Sequence, residues 1–182
     1  MGLFDIFRRK KAAIYNKQTI TIPLSKVDDV INALGRIDST DYLGQAAEAG
    51  SKAGAAVKSG KFDEAWELYH KQKELYMKHA VRSEFTPAQV LALDGSVHED
   101  LANILRLENK HGDALCHFIY SLVTSPKITK SQEKKLPAYV NRAKLKNGTL
   151  ADVEAFIRDK RSRDFRSVQL RVIAWRPNTK ET

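Results

Sequence analysis

Apolar positions recur every three to four residues over most of the chain after Asp41, and that period predicts helices. Tyr42 to Lys58 reads as a helix rich in small residues, Gly44, Ala46, Ala47, Ala49, Gly50, Ala53, Gly54, Ala55 and Ala56, which let another helix approach closely. Ser59-Gly60 breaks it. Phe62 to about Ser83 predicts a long second helix carrying Ala65, Trp66, Leu68, Tyr69, Leu75 and Tyr76. Thr86-Pro87 marks a helix start, with Thr86 as cap and Pro87 in the first turn. Gly95 reads as an interruption, and Val97 to Asn109 as a separate amphipathic helix. Gly112 marks a turn, Asp113 to Ser125 is helical, and Pro126 ends it. A helix from about Ser131 to Lys146 follows, then a turn at Asn147-Gly148, then a helix capped by Thr149 with Leu150, Val153, Phe156 and Ile157.

The ends break this rhythm. Residues 18–24 alternate, placing Ile20, Ile22 and Leu24 on one face of a strand, with Pro23 confining it to an edge. Ser25 then caps a helix with Val27, Val30, Ile31 and Leu34. Asp164 to Trp175 fits both periods: Phe165, Val168 and Val172 share a helical face, while Val168, Leu170 and Val172 share a strand face. Helix is the preferred reading. A strand there would pair residues 166–175 with 18–24.

Two segments share a register. Ala53 is followed twelve residues on by Ala65, with Gly60 and Phe62 between and Tyr69 beyond. Leu101-Ala102 leads to Leu105, and Ala114 follows Ala102 by twelve, then Phe118 and Pro126. Matched alanines let two antiparallel helices approach closely, and the aromatic four residues later fills the groove beside them. This spacing resembles a degenerate tetratricopeptide repeat, roughly over 46–79 and 95–128. The first unit lacks the large residue and Leu before its small one, and has no closing Pro. The units are 49 residues apart, longer than one repeat, so about residues 80–94 lengthen a helix or insert a turn around Pro87. A third pair, about 131–160, keeps the rhythm without the signature.

The resulting expectation is a mainly all-α fold. Residues 1–40 supply an N-terminal amphipathic helix, an extended segment and a capping helix. Residues 41–128 form two tetratricopeptide-like helical hairpins, and 129–182 a basic helical segment packed on the same domain. The hairpins stack as a short solenoid. The resemblance implies a concave groove lined by the first helix of each unit, suited to an extended peptide or a partner helix. In the second unit its inward residues are Glu99, Asn103 and Arg106. In the first they are Ala47, Gly50, Gly54 and Lys58, a nearly smooth surface open to a helix or to a terminal segment of the chain itself. Glu99 is acidic where carboxylate-binding members carry Lys, which argues against recognition of a free C-terminal acid.

Charge then adds a second class of partner. The net charge is +9, and residues 126–182, with 15 Lys/Arg against 6 Asp/Glu, carry all of it. Arg158, Lys160, Arg161, Arg163 and Arg166 are the densest run, a candidate electrostatic contact for nucleic acid or another anionic surface. A solvated basic face that keeps the protein soluble explains the same run. Leu3, Phe4, Ile6 and Phe7 share one helical face beside Arg8 to Lys11, a pattern that fits either docking on the core or an anionic membrane surface. Ile6 stands where a myristoylation signal carries Ser or Thr.

Catalytic chemistry finds little footing. His70, His79, His98, His111 and His117 never recur at i, i+3 or i, i+4, the spacings that converge on a metal from one helix. Cys116 and His117 are adjacent and diverge by about 100° on a helix. Phosphate-cradling glycine motifs and the nucleophile elbow are absent. The only cysteine is Cys116, so no intrachain disulfide forms. No apolar run approaches a membrane span, and the first cluster is too short for a secretory signal. The expectation is a non-catalytic interaction scaffold without cofactors, cytoplasmic or peripheral to a membrane, whose partner is another protein or peptide. Nucleic acid and membrane binding are the alternatives.

Overall fold

A computed structural model of the protein describes residues 40–159 and 164–176, and among these residues all regular structure is helical. The helices are α1 (Tyr42–Lys58), α2 (Phe62–Arg82), α3 (Pro87–Leu107), α4 (His111–Thr124), α5 (Lys130–Ala143), α6 (Leu150–Arg158) and α7 (Phe165–Trp175). None is long and apolar enough to cross a membrane. The expectations for Leu3, Phe4, Ile6 and Phe7, for the strand at 18–24 and for Lys160, Arg161 and Arg163 lie outside the described residues.

Local chemistry sets the helix ends. Asp41 accepts the Gly44 N–H at 2.8 Å and opens α1. Gly60 turns the chain into α2 at φ +72°, a conformation most side chains resist. Thr86, Thr129 and Thr149 open α3, α5 and α6 with reciprocal capping boxes to Gln89, Gln132 and Asp152. These bonds satisfy backbone donors that lack a helical acceptor.

The core is built on small contacts first and large ones second. Ala53 and Ala65 are fully buried and share one apolar cluster with Ala56, Tyr69, Val97, Leu101 and Ile104. Ala102 and Ala114 are fully buried in a second, larger cluster. In both hairpins, α1 with α2 and α3 with α4, the matched alanines therefore lie inside the contact. The second cluster centres on α4, which is apolar on nearly every side, as expected of a helix surrounded by protein. Helices α3, α5, α6 and α7 all pack on it. Phe118 at its middle is fully buried and stacks flat on Tyr139, ring centroids 4.3 Å apart. Burying such a side chain contributes about 1.5–3 kcal/mol.

Two readings left open are decided, for residues 166–175 and for the stretch 80–94, and two expectations are corrected, for Gly95 and for the end of α5. Residues 166–175 are helical, not a strand: Phe165, Val168, Val172 and Trp175 line the core face at helical spacing, while Leu170 stays 51% exposed. Asp164 caps this helix by accepting from the Ser167 N–H at 2.8 Å. Gly95 does not interrupt α3, which runs unbroken from Pro87. Its hydrogen side chain admits Thr124 of α4, whose Oγ1 would clash with a Cβ at Gly95. The stretch 80–94 lengthens α2 and α3 around a four-residue turn, Ser83 to Thr86. Helix α5 ends at Ala143, three residues early, because Lys144 takes a left-handed φ of 49°.

Candidate functional site

Helix α3 divides sharply by face. Val97, Leu101, Ala102, Ile104 and Leu105 are buried, and Glu99, Asn103 and Arg106 point the other way at spacings of four and three. Helix α5 presents Lys135, Ala138, Tyr139 and Arg142 toward them, held by Leu136 and Val140 in the core. Together with Asp100 these side chains line a cleft of about 410 Å³ between the two helices.

Hydrogen bonds fix the register of this cleft. Glu99 accepts from Lys135 Nζ at 2.7 Å and from Gln132 Nε2 at 2.9 Å. Seven residues on, Arg106 reaches the Tyr139 phenol. Helices α3 and α5 therefore run in the same direction. Arg106 Nη2 also donates to Asn103 Oδ1 at 2.7 Å, which occupies the amide oxygen of Asn103 and leaves its NH₂ for another acceptor. Neither Arg106 nor Arg142 forms an ion pair with a carboxylate among the described residues. Arg142 Nη1 donates to the Ala138 carbonyl of its own helix at 3.3 Å, and both guanidiniums line the cleft.

Burial tunes the acids and phenols here. The Asp100 carboxyl is pushed up, first by burial and then by the Glu99 charge, against the pull of Lys135. The Tyr139 phenol is pushed up by burial, with Arg106 opposing. Lys135 is raised chiefly by its hydrogen bond to Glu99.

The other expected site residues lie elsewhere. Lys58 is exposed in the last turn of α1 and does not line the cleft. On the smooth surface of α1, Ala47 is exposed, the Gln72 side chain covers Gly50, and a Cβ at Gly54 would meet nothing within 4 Å. Of the basic run, Arg158 and Arg166 are exposed. Arg158 approaches Glu154 at 4.0 Å, and Arg166 donates to Gln169 Oε1 at 2.9 Å.

Sequence reasoning missed Asp100, Lys135, Tyr139 and Arg142. The last three recur at i, i+4 and i+7 on α5, a signal hidden because that helix lacks the repeat signature. It also missed a polar cluster drawn from four helices. His98 of α3 is 3% exposed and stacks on His117 of α4, centroids 4.8 Å apart. Trp66 of α2 and Phe165 of α7 close the ring. Lys73 Nζ sits 2.9 Å from Asp94 Oδ1 and donates to His98 Nε2 at 3.2 Å, while the Tyr120 hydroxyl donates to Asp94 Oδ2 at 2.7 Å. A lone pair at Nε2 places the His98 proton on Nδ1.

Cys116 is buried, and burial pushes its thiol up to about 12, so thiolate chemistry is suppressed. Among the described residues no three His, Cys, Asp or Glu side chains converge as a metal site. The chain matches no family model, no curated protein and no solved structure.

Proposed function

We propose that this chain is a non-catalytic scaffold that holds an extended segment of another protein between α3 and α5, within a short tetratricopeptide-like solenoid. The observation that carries this reading is the cleft itself. Two helices running in the same direction present Glu99, Asn103 and Arg106 on one side and Lys135, Tyr139 and Arg142 on the other. An extended peptide needs backbone partners, and the Asn103 amide and the two guanidiniums supply donors within the cleft. The buried alanine pairs support the hairpin units that the resemblance calls for. A cytoplasmic setting fits a lone, sealed thiol.

Selection from a displayed library of random extended peptides tests the proposal. A common sequence should enrich on the wild-type protein and bind at least about tenfold more weakly to Asn103→Ala with Arg106→Ala. A library that never converges, or a selected peptide indifferent to both substitutions, overturns it.

A further inference from the structure

We infer that a second docking surface lies on a different face of α5: an apolar cleft with two glutamates on its rim, which receives a large apolar side chain from a partner-protein segment flanked by Lys or Arg. The cleft measures about 390 Å³ and is walled by Leu122 of α4, Ile128, Leu136 of α5 and Ile157 of α6. A space of roughly 150 Å³ already holds a benzene ring, so an aromatic or long aliphatic side chain fits with room to spare.

The rim decides what carries that side chain. Residues 126–182 hold six acids among fifteen cations. Asp152 and Asp164 are occupied as helix caps, bonded to Thr149 and Ser167. Glu133 of α5 and Glu154 of α6 come from different helices and both line this one cleft. Two carboxylates against the single cation Arg158 give this apolar cleft an acidic balance on an otherwise cationic third of the chain. Arg158 shares the rim at 4.0 Å from Glu154, with side chains 72% and 44% exposed. An ion pair that long and that wet contributes little, so a partner's cation displaces it readily. Nucleic-acid phosphates are repelled by the two carboxylates, and a flat lipid surface does not enter a cleft. An amphipathic protein segment with apolar anchors and basic flanks satisfies floor and rim together.

Charge reversal separates this site from the α3/α5 groove. The probes are a helical peptide with two Phe on one face and four Lys at its end, its four-Glu counterpart, and phosphatidylserine vesicles. The Lys peptide should shift the methyl resonances of Ile128, Leu136 and Ile157 and bind at least about tenfold tighter than the Glu peptide. Glu133→Lys with Glu154→Lys, both on the surface, should reverse that order while circular dichroism stays unchanged. Ile128→Glu should abolish binding, and Asn103→Ala with Arg106→Ala should leave it intact. Equal affinity for the two peptides overturns the proposal. So does Lys-peptide binding that depends on the groove residues, or a set of methyls that moves with vesicles and stays still with millimolar peptide.

Discussion

His98 lies face to face with His117, 4.8 Å between ring centroids and 23° between planes, although nineteen residues separate them in the chain. Burial holds both rings neutral: His98 is pushed down to about 4 and His117 to about 3, and Lys73 and His70 push the same way. Asp94 opposes for His98 and does not prevail.

This pair makes the fold acid-sensitive. An unfolded histidine takes up its proton near pH 6.5, whereas the folded rings resist down to about 4 and about 3. Between those values the unfolded chain binds more protons, so stability is full above pH 6.5 and falls as pH falls. The loss from pH 7 to pH 5 should be on the order of 1–2 kcal/mol per histidine. Urea midpoints at the two pH values measure it. His117→Phe keeps a ring against Trp66 and Phe165 and should remove about half of the drop. A variant with an undiminished drop contradicts this account.

The alanine contacts should be intolerant of bulk. Ala65→Leu and Ala114→Leu each force a branched side chain between two helices already in contact, costing about 1–3 kcal/mol or more. Ala47→Leu on the exposed side of α1 serves as the control and should stay within about 0.5 kcal/mol. Thermal melts of the three variants decide the matter, and a Tm for Ala65→Leu equal to that of the control would remove the close-packed hairpin.

Gly95→Ala sets two effects against each other. Helix propensity favours Ala by about 1 kcal/mol, but the new methyl falls on Thr124. Overpacking of about 1–3 kcal/mol outweighs the gain. Denaturant unfolding should show a net loss, whereas Gly54→Ala, with open space at its Cβ, should show a small gain.

The ion pair that closes one end of the groove should matter little for stability. Glu99 and Lys135 have side chains 29% and 50% exposed, so Glu99→Gln should cost at most about 1 kcal/mol. It should nevertheless change which peptides the groove selects, because it frees the Lys135 ammonium. Melting temperature and peptide affinity, measured on the same variant, separate the two roles.

Legibility in the sequence followed the range of the interaction. Helix starts at Thr86 and Thr149 are written within four residues, and the pairings of Ala53 with Ala65 and Ala102 with Ala114 within twelve. The period of α7 was ambiguous because Val168 and Val172 fit either geometry. The Asp164 cap and the contact of Val168, Val172 and Trp175 with the core settle it as helix. Gly95 was misread because the reason for a glycine there is Thr124, twenty-nine residues away. Half the groove was likewise invisible: Tyr139 and Arg142 matter only once α5 lies alongside α3. The His98–His117 stack belongs to the same class, since no spacing within one helix announces it.

Cys116 has a practical corollary. Its sulfur sits inside α4 out of reach of maleimides and other thiol reagents. A cysteine placed on the surface, at Asn103 in the groove or at Glu133 on the cleft rim, would then be the sole reactive handle on the native protein. Spectroscopic probes or cross-linkers could be attached to either face one at a time, with the interior left as nature made it.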